Sequence, residues 1–445
     1  MYTAIISRVK TRPHPNADRL QLGTIAGEQV IVGLEIPDGM LMVYFPADGQ
    51  LSTPFAEAND LISRTNRETG AKEGGYFAAN CRVRAQRLRG ELSEGFACEL
   101  DKLVVAGVSQ KTVDALGEGF EFTTLDDIEI CRKFVNPRTR QARVGQQARK
   151  LRKKNPMFKE HLDTGQFLRD AGKIPEGALL YLTEKCHGTS GRYAVCKESV
   201  LQPNSWWRKL WRRPQKTREE WVRYIGTRRT SYFPGQSEGG YYGTATFRED
   251  FMGDVWHLLK KGETVYGEIV GYVSGSTPVM HSPSTAGVQD KKFSKRYGAQ
   301  MVYSYGCEPG QHRFLVYRIT LTNEDGYSVD LSWPQVKIRA AQLGLGCVPD
   351  LLAGPFLYSK DRAEELDALV KASVEGESLL DSHHIREGVV VRIEGGLEIG
   401  ALKLKSFEFK VLEGLAKDSP DNVDMEEAEE AAGDSSGLPQ EGSTQ

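Results

Sequence analysis

The sequence has no long hydrophobic run, and this absence excludes several classes of protein. None of its apolar stretches approaches the roughly 20 residues that a transmembrane helix needs. The N-terminal segment MYTAIISRVKTRPHPNADRL also lacks the apolar core of a signal peptide. We therefore expect a cytoplasmic protein without membrane association.

Cysteine is scarce, and its distribution argues against a zinc site. The seven cysteines are odd in number, and no two of them form a C-x-x-C pair. Structural zinc sites typically use cysteine pairs at that spacing, and secreted disulfide scaffolds use even numbers of cysteine. We therefore expect reduced thiols, as in a cytosolic protein.

The net charge of -2 is small, but the charges are unevenly distributed along the chain. Residues 132–159 contain eleven Lys and Arg and no Asp or Glu, whereas residues 418–445 contain nine Asp and Glu and no Lys or Arg. The basic block predicts a polyanionic partner, because each phosphate that a cation neutralises releases counterions. We interpret residues 132–159 as a basic linker and residues 413–445 as an acidic, disordered tail.

The length and the hydrophobic pattern predict two domains. At 445 residues, the chain is too long for one ordinary hydrophobic core. Residues 1–131 alternate apolar and polar positions in short stretches between Gly, Pro and Asp, which favours a small β-barrel. In residues 160–412 strands mix with helices, such as PQVKIRAAQLGLG and DRAEELDALVKASV, without a regular βαβ order. The predicted fold class is therefore α+β, with an N-terminal β-barrel domain followed by an α+β domain.

The segment TEKCHG contains a candidate nucleophile, Lys185. The apolar strand GALLYLT leads into it and the apolar strand RYAVC follows it. At the end of a buried strand, the charged ammonium is disfavoured and the nucleophilic amine is favoured. Such a lysine can attack a phosphorus or carbonyl centre. The same residue could be structural, because the spacing K-x-x-G is common by chance.

Further polar patterns follow Lys185, each on or beside a predicted strand. YIGTRRTSYF is an arginine strand, TVYGEIVGY contains a glutamate between glycines, and RFLVYRI carries a tyrosine on an apolar strand. REGVVVRIE and LKLKSF complete the series, the latter with two lysines on one face of a strand. The residues concerned are Arg228, Arg229, Glu268, Tyr317, Glu387, Lys403 and Lys405. Singly, these patterns also fit surface charges, a turn, a core tyrosine or a guarded edge strand.

Taken together and in this order, the patterns resemble those of the covalent nucleotidyltransferases: RNA ligases, DNA ligases and mRNA capping enzymes. Those proteins share K-x-D-G or K-x-H-G, an arginine strand, a glutamate in G-E, an aromatic strand, E-G-[VI]-[VI] and K-x-K. His187, the Thr-Ser that follows Gly188, and RRT are similar to the RNA ligases in particular. The segments HPNADRLQLGTIAGEQVIVG and RAQRLRGELSEGFAC resemble tRNA-binding OB domains, and one RNA ligase family carries such a domain at its N-terminus. The resemblance extends from Met1 to about Leu412.

The resemblance implies an ATP-dependent RNA ligase, with an OB-like nucleic-acid-binding domain over residues 1–131 and a nucleotidyltransferase domain over residues 160–412. Lys185 would form a lysine–AMP intermediate, AMP would pass to an RNA 5′-phosphate, and an RNA 3′-hydroxyl would displace it. The resemblance assigns contacts with ATP or AMP to Glu184, His187, Gly188, Arg229, Glu268, Tyr317, Lys403 and Lys405. It further implies that Glu387 and Glu268 bind Mg²⁺, or Mn²⁺ in its place. Tyr317 would stack on adenine, and the backbone near Glu184 would contact the edge of the base.

The chain departs from the family pattern in three places. These are the tryptophan- and arginine-rich segment 201–223, the acidic tail, and Tyr317-Arg318 where many relatives have Phe-Asp. The segment 201–223 could stack on bases or pack against its own domain. The last departure concerns the contact with the nucleobase.

Two other functions remain as alternatives. A GTP-dependent capping-type guanylyltransferase would need an OB domain after K-x-K, where only 40 residues follow Lys405. A non-catalytic OB-fold RNA-binding protein would leave the lysine, glutamate and K-x-K strands unexplained. The expected partners are RNA ends, in single strands or at nicks in RNA or RNA/DNA duplexes.

Overall fold

The structure is a computed structural model, and it describes eight stretches of the chain. These are residues 2–65, 72–136, 155–201, 217–228, 231–232, 248–249, 252–288 and 291–418. The chain divides into two compact units, each made of several segments: the first contains 1–136, 284–299 and 407–419, and the second contains 137–283, 300–406 and 420–445. Both α-helices and β-strands are present, which confirms the predicted α+β class.

The helices are short, with 4 to 12 residues each. In chain order they are α1 (Thr53–Ala58), α2 (Asp101–Val105), α3 (Gln110–Asp114), α4 (Phe167–Asp170), α5 (Lys291–Tyr297), α6 (Trp333–Gln342), α7 (Ala363–Val374) and α8 (Phe407–Asp418). Single 3₁₀ turns occupy Ala171–Lys173, Asp254–His257, Thr285–Gly287 and Lys360–Arg362. The two helices predicted from apolar spacing are α6 and α7, and both predictions are confirmed.

The first unit consists mainly of short antiparallel strands. They are β1 (Ala4–Arg8), β2 (Lys10–Pro13), β3 (Leu20–Ile25), β4 (Glu28–Gly33), β5 (Leu41–Pro46), β6 (Gly49–Leu51), β7 (Ser63–Thr65), β8 (Lys72–Gly74), β9 (Gln86–Leu88), β10 (Glu91–Ser93), β11 (Gly95–Glu99), β12 (Glu121–Phe122), β13 (Thr124–Leu125), β14 (Ile128–Glu129) and β15 (Cys131–Lys133). The two largest sheets have the orders β11-β5-β1-β12 and β2-β3-β4.

These strands form separate sheets, and the described residues contain no closed barrel. The chain leaves one sheet and enters the other at Val9, where β1 ends its pairing with β5 and β2 begins to pair with β3. A buried cluster that includes Val9, Ile25, Val30 and Met42 packs residues of both sheets together. The alternating pattern therefore predicts strands and their buried faces correctly. It does not report whether the terminal strands of two sheets pair, which is what closure of a barrel requires.

Helix α8 is joined to the rest of the first unit by a half-buried ion cluster. The ammonium of Lys410 lies 2.8 Å from Oε1 of Glu28 and 3.0 Å from Oε1 of Glu94. The hydroxyl of Tyr44 donates to the Glu28 carboxylate. Burial alone would lower the pKa of Lys410, but the two carboxylates outweigh it and raise that pKa above its ordinary value.

The same helix crosses the predicted boundary between the second domain and the acidic tail. It continues without interruption through residue 412 to Asp418, within the first unit. Residues 419–445 lie outside the described residues, so the disorder of the tail stays a prediction. The predicted linker 132–159 begins as strand β15, which pairs with β6, and its residues 137–154 likewise lie outside the described part of the chain.

The second unit contains two larger sheets. Its strands are β16 (Gly165–Gln166), β17 (Leu179–Lys185), β18 (Thr189–Leu201), β19 (Thr217–Gly226), β20 (Ser231–Tyr232), β21 (Glu263–Ser274), β22 (Thr277–Pro278), β23 (His312–Thr322), β24 (Ser328–Asp330), β25 (Gly346–Cys347), β26 (Phe356–Leu357), β27 (Gly388–Glu394) and β28 (Gly400–Lys405). One sheet has the order β16-β28-β27-β17-β26. The other has the order β20-β19-β18-β21-β23-β24, with β22 on β21 and β25 on β23. The tryptophan-rich segment connects β18 to β19, and its residues 202–216 are outside the description.

Helix α7 covers one face of the five-stranded sheet. Its buried residues Leu366, Val370 and Val374 repeat every four positions and belong to the same hydrophobic cluster as Leu180 and Val391. Because successive strand residues point to opposite faces, burial of one face by α7 directs the alternate residues of β17, β27 and β28 to the other face. The polar residues of the candidate site lie on these strands.

The structure also describes the cysteines, the hydrophobicity of the helices and the grouping of acidic side chains. All seven cysteines are free in it. In the described stretches, no helix combines the length and the hydrophobicity needed to cross a membrane. Those stretches also contain no group of three or more His, Cys, Asp or Glu side chains placed to hold a metal ion.

The ion cluster on α8 leads to a prediction about stability. Lys410→Met should lower the free energy of unfolding by about 1–3 kcal/mol, because it leaves two half-buried carboxylates without their cation. Lys371→Met is the matched control, since Lys371 pairs with Asp367 at 2.8 Å on an exposed face of α7, and it should cost less than about 1 kcal/mol. Urea unfolding followed by circular dichroism measures both changes. Equal midpoints for the two variants would contradict the prediction.

Candidate active site

Three neighbouring strands of the five-stranded sheet bring the two predicted lysine motifs together. Strand β17 ends at Lys185, β27 begins directly after Glu387, and β28 ends at Lys405. In the register of the sheet, Gly388 lies opposite both Lys185 and Lys405. A Cβ on Gly388 would lie 2.1 Å from the carbonyl oxygen of Leu404, so only glycine permits this close pairing.

The carboxylate of Glu387 lies close to nitrogen atoms of three side chains. Its Oε1 atom lies 2.9 Å from Nζ of Lys185 and 3.4 Å from Nζ of Lys405. Its Oε2 atom lies 3.6 Å from Nδ1 of His187. Burial alone would raise the pKa of Glu387, but the two ammonium groups and the histidine outweigh it and hold this pKa well below its usual range. Glu387 is therefore a buried anion.

The surroundings of Lys185 differ from those predicted by its position at the end of a buried strand. A quarter of its side chain is exposed, and Nζ faces the Glu387 carboxylate. Lys185 is therefore held in an ion pair with Glu387, and an anion that enters the pocket would compete with this contact.

Lys403, two residues before Lys405, experiences the opposite influence. Burial and then the nearby cations Lys185, Lys405 and Arg228 lower the pKa of Lys403 to about 8, with Glu387 acting in the other direction. Lys403 and Lys405 alternate with the buried Leu residues of β28, as the sequence predicts. The site thus concentrates positive charge, which an incoming anion would stabilise.

Glu268 lies on a strand of the eight-stranded sheet, and Gly188 directly precedes the neighbouring strand β18. Glu268 lies within β21, opposite Ser190 of β18, whereas its sequence predicts a position after a strand. A Cβ on Gly188 would lie 2.3 Å from the carbonyl oxygen of Ile269 and 2.8 Å from Cγ of Glu268. Glycine is therefore required where the chain passes from the nucleophile into β18.

The buried thiol of Cys186 lies near three carboxylates of the site. Burial raises the pKa of this thiol well above its ordinary value, and the carboxylates of Glu184, Glu268 and Glu387 raise it further, while Lys185 opposes them. All three carboxylates and the amine therefore lie within electrostatic reach of one buried atom. Residues separated by some 200 positions in the sequence meet at this place.

Tyr317 lies at an irregularity in the pairing of β21 with β23. Tyr266 pairs with Arg318, but the next residue, Gly267, pairs with Val316, so Tyr317 is the extra residue of a β-bulge. A bulge breaks the alternation of a strand and redirects a side chain. Tyr317 is consequently half-buried among fully buried neighbours, which no period-two pattern predicts.

Two buried arginines support this bulge, and neither is prominent in the sequence. Arg318 donates from Nε and Nη2 to Asp330, over 2.6 and 3.0 Å. Arg392 donates from Nη1 to the carbonyl oxygen of Tyr317, over 3.1 Å. Arg318, which stands where many relatives have aspartate, is thus engaged in a buried ion pair.

A pocket lies between the two sheets of the second unit. It encloses about 1000 Å³ of space, a figure that includes the part open to solvent. Five of the predicted site residues line it: Glu184, Lys185, Glu268, Tyr317 and Lys403. His187, Lys405 and Glu387 form the adjoining ion cluster, Gly188 lies beside Glu268, and Arg229 lies outside the described residues.

The pocket also has lining residues that the sequence motifs do not include, notably His161 and Trp333. Arg228 lines it too, although the predicted strand placement of this residue is wrong. Strand β19 ends at Gly226, and Arg228 lies beyond it with Nη2 3.3 Å from Oδ1 of Asp163. The arginine doublet was the only sequence signal for any of these residues.

Behind the nucleophile, hydrogen bonds connect the loop of His187 to a buried histidine. The backbone N–H of His187 donates to the hydroxyl of Tyr305. The backbone N–H of Tyr305 donates to Nε2 of His384 over 3.2 Å, and Nδ1 of His384 lies 2.9 Å from the carbonyl oxygen of Ile385. Since a carbonyl only accepts, Nδ1 carries the proton and His384 is a neutral ring. This layer fixes the backbone that follows Lys185.

Glu184 is almost fully buried, and only one of its carboxylate oxygens has a partner. Oε2 accepts a hydrogen bond of 2.8 Å from the backbone of Leu379. Oε1 has no partner among the described residues and no solvent access. Burial raises the pKa of this carboxyl group. The backbone N–H of Glu184 is already used, since it donates to the carbonyl oxygen of Pro349 over 2.9 Å.

Comparison with known proteins agrees with this geometry. A family model described as RNA ligase matches residues 179–411, which is more than half of the chain. The chain therefore belongs to the RNA ligase family, which confirms the predicted family and the prediction of a ligase. No curated protein matches the sequence.

Solved structures with a similar fold include several of an RNA ligase from Naegleria gruberi. A lysine-to-alanine mutant with ATP and Mn matches with a TM-score of 0.55 at 15% identity, covering 92% of this chain and 98% of that one. A glutamate-to-alanine mutant with AMP and Mn has a TM-score of 0.55 at 15% identity, covering 92% and 97%. An arginine-to-alanine mutant with ATP and Mn has a TM-score of 0.53 at 16% identity, covering 93% and 99%. At these identities, the likeness shows a shared fold.

The lowered pKa of Lys403 leads to a prediction about pH and stability. In the unfolded chain a lysine titrates near ~10.4, whereas in the folded chain Lys403 titrates at about 8. Below pH 8 the charged form of Lys403 therefore lowers the free energy of unfolding by its full amount. This loss disappears as the pH rises toward the pKa of lysine in the unfolded chain. Lys403→Met should raise the melting temperature at pH 7, and the gain should shrink at pH 9.5.

Thermal unfolding of both proteins at the two pH values measures this effect. Lys360→Met, on the exposed 3₁₀ turn before α7, is the control and should show no pH-dependent gain. A Lys403→Met protein that is less stable than the wild type at pH 7 would contradict the prediction.

Proposed function

We propose that this chain is an ATP-dependent RNA ligase in which Lys185 is the nucleophile. The observation that carries the proposal is the cluster at Glu387, where Lys185, Lys405 and His187 meet beside a pocket lined by Lys403. Concentrated cations around a candidate amine suit an attack on a phosphate, because phosphoryl transfer depends chiefly on positioning and charge stabilisation. Membership of the RNA ligase family supports the same reaction.

In the first step, the neutral amine of Lys185 attacks the α-phosphorus of ATP. A nitrogen–phosphorus bond forms, the bond to the bridging oxygen breaks, and pyrophosphate leaves. Lys403 and Lys405 stabilise the charge that develops on the phosphate oxygens. Their contact with phosphate also competes with Glu387 for cations and so rearranges the ion pair that holds Lys185.

In the second step, a 5′-phosphate oxygen of RNA attacks the same phosphorus and releases the lysine. In the third step, the 3′-hydroxyl of another RNA end attacks the 5′-phosphate, and AMP leaves. The same cationic surface serves each step, because each one passes through a phosphate that carries additional charge. We assign contacts with the phosphates to His187, Arg228 and Arg229.

A divalent metal fits the donor set of this site. The residues concerned are Glu268 and Glu387, and carboxylate oxygens are ligands that Mg²⁺ and Mn²⁺ prefer. Mg²⁺ is usually bound by one or two carboxylates together with waters and substrate phosphates, so a site of two glutamates suffices. Bound there, the metal would neutralise phosphate charge. The relatives solved with ATP or AMP and Mn support this assignment.

The nucleobase is assigned to the wall of the pocket that carries Tyr317. An aromatic ring placed there by the bulge can stack on adenine. We assign the edge of the base to the side chain of Glu184 in preference to its backbone N–H, which already has a partner. Among the described residues the buried Oε1 atom of Glu184 has no partner, so it can accept a hydrogen bond from the amino group of adenine.

We assign the binding of the nucleic acid to the first unit. Its resemblance to tRNA-binding OB domains and the basic residues 132–159 support contact with an RNA backbone. The substrates are RNA ends, including nicks in duplexes. Seven free cysteines support a reducing compartment such as the cytoplasm.

The nucleophile can be tested directly. The full chain incubated with radiolabelled ATP and Mg²⁺ should become covalently labelled with AMP, and Lys185→Ala should abolish the label. Lys185→Arg should also fail, because guanidinium stays protonated. Labelled GTP in a parallel incubation separates a ligase from a capping enzyme. Unchanged labelling of Lys185→Ala would disprove the assignment.

The role of Glu387 gives a second prediction. Glu387→Gln should lower self-adenylylation by about two orders of magnitude at saturating ATP, because it removes the charge that collects Lys185, Lys405 and His187. Exposed Glu364 provides the control, and Glu364→Gln should leave the rate unchanged. Near-normal activity of Glu387→Gln across a Mg²⁺ and Mn²⁺ titration would move the metal and the ion cluster out of the reaction.

The basic linker gives a third prediction. Deleting the N-terminal residues is not a clean test, since Lys410 on α8 would lose Glu28 and Glu94. Replacing the five cations of residues 149–154 by Gln should instead weaken binding of a nicked duplex and reduce its dependence on salt. Self-adenylylation should stay unchanged and acts as the internal control. An unaltered slope of affinity against salt would contradict the assignment.

A further inference from the structure

The short segment that precedes α4 is held against the eight-stranded sheet by buried hydrogen bonds. Arg192, which is 2% exposed, donates from Nη1 to the carbonyl oxygen of Phe158 over 3.2 Å, and its guanidinium lies 4.2 Å from the centre of the Phe158 ring. The hydroxyl of Tyr266 donates to the carbonyl oxygen of Lys159 over 3.1 Å. These contacts fix the backbone two residues before His161.

His161 is placed between two tyrosines at the wall of the pocket. The rings of His161 and Tyr266 pack edge to face, with their centres 5.2 Å apart and an angle of 83° between their planes. The ring centre of Tyr317 is 5.9 Å away, and the Tyr317 hydroxyl forms a hydrogen bond with Nδ1 of His161. The other ring nitrogen, Nε2, has no solvent access and no partner in the described part of the chain.

His161 is neutral in this environment. Burial lowers its pKa well below the ordinary value, and the cations Arg192, Arg228 and Arg318 lower it further. A neutral imidazole has one donor and one acceptor nitrogen. Because the phenol is the more acidic partner, we assign its O–H as the donor to Nδ1. The proton of the ring then resides on Nε2, which is a buried donor without an acceptor.

A buried donor without a partner is costly, and a ligand that supplies an acceptor recovers that cost. The phosphates of a nucleotide would be drawn to Lys185, Lys403 and Lys405. His161 lies instead beside Tyr317, where the base stacks in the proposed function. The acceptor nearest to Nε2 would therefore belong to the base.

We propose that His161 binds the nucleobase of ATP, in a manner that rests on the proposed function. Its Nδ1 atom holds the ring of Tyr317 in the stacking plane, and its Nε2–H group donates to a ring nitrogen of adenine. His161 lies before residues 179–411, which match the family model, and it belongs to none of the motifs in the sequence. It is a specificity residue contributed by the segment in front of the ligase core.

Two substitutions separate the roles of the ring nitrogens in the full-length protein. The amide of His161→Asn replaces Nδ1 and keeps the bond to Tyr317, whereas the amide of His161→Gln replaces Nε2. His161→Asn should raise the KM for ATP in self-adenylylation about tenfold, the usual worth of one hydrogen bond, with little change in kcat. His161→Gln should recover most of that affinity. Exposed His257 supplies the control, His257→Asn, which should behave as the wild type.

Adenine analogues identify the atom that accepts the hydrogen bond. Wild-type enzyme should show a KM about tenfold higher for one of 1-deaza-, 3-deaza- and 7-deaza-ATP than for ATP. That penalty should be absent in His161→Asn, which has already lost the contact. If all three analogues match ATP with the wild type, or if only 2′-deoxy-ATP is penalised, the contact with the base does not exist.

The outcomes distinguish the inference from the proposed function. A wild-type chain that is never labelled by ATP would contradict the proposed function itself. A wild-type chain that is labelled, with an unchanged KM in His161→Asn or a loss confined to kcat, would overturn the inference alone. If both variants melt at lower temperature, Tyr317→Phe removes only the hydroxyl and should still raise the KM about threefold through the lost tether.

Discussion

The second unit depends on one buried carboxylate, that of Glu387. It begins a strand whose two neighbours end in lysines, and without its charge the ammonium groups of Lys185 and Lys405 would repel each other across Gly388. The same charge holds Lys185 in an ion pair, so in the proposed reaction an arriving phosphate has to compete with Glu387 for this lysine.

The neighbouring lysine shows the cost of this arrangement. Lys403 shares the cationic surface, and burial together with the neighbouring cations lowers its pKa to about 8 although Glu387 opposes them. A site that binds anions holds several positive charges close together when no anion is bound, and their repulsion reduces the stability of the fold. Glu387 limits that loss for Lys185 and Lys405 and leaves it in place for Lys403.

Local sequence patterns predicted the parts of this site that depend on local geometry. Alternation on β28 predicted that Lys403 and Lys405 share a face, and the apolar run before Lys185 predicted the strand that ends there. The patterns failed where geometry depends on pairing between distant strands. The bulge that redirects Tyr317 arises from the register of β21 on β23, and His161 carries no motif because its role comes from packing against Tyr266 and Tyr317. The predicted barrel likewise required knowledge of which strands pair at the sheet edges.

The first unit has a consequence for synthesis in the cell, because its residues are not contiguous. Its last helix, α8, follows residue 136 by about 270 positions, so at a translation rate of ~5–20 residues per second the helix emerges roughly 14–54 s after the strands it joins. During that interval Glu28 and Glu94 are present while Lys410 has not yet been made. Until the helix is made, the two carboxylates have no Lys410 to pair with, so this ion cluster of the first unit forms last.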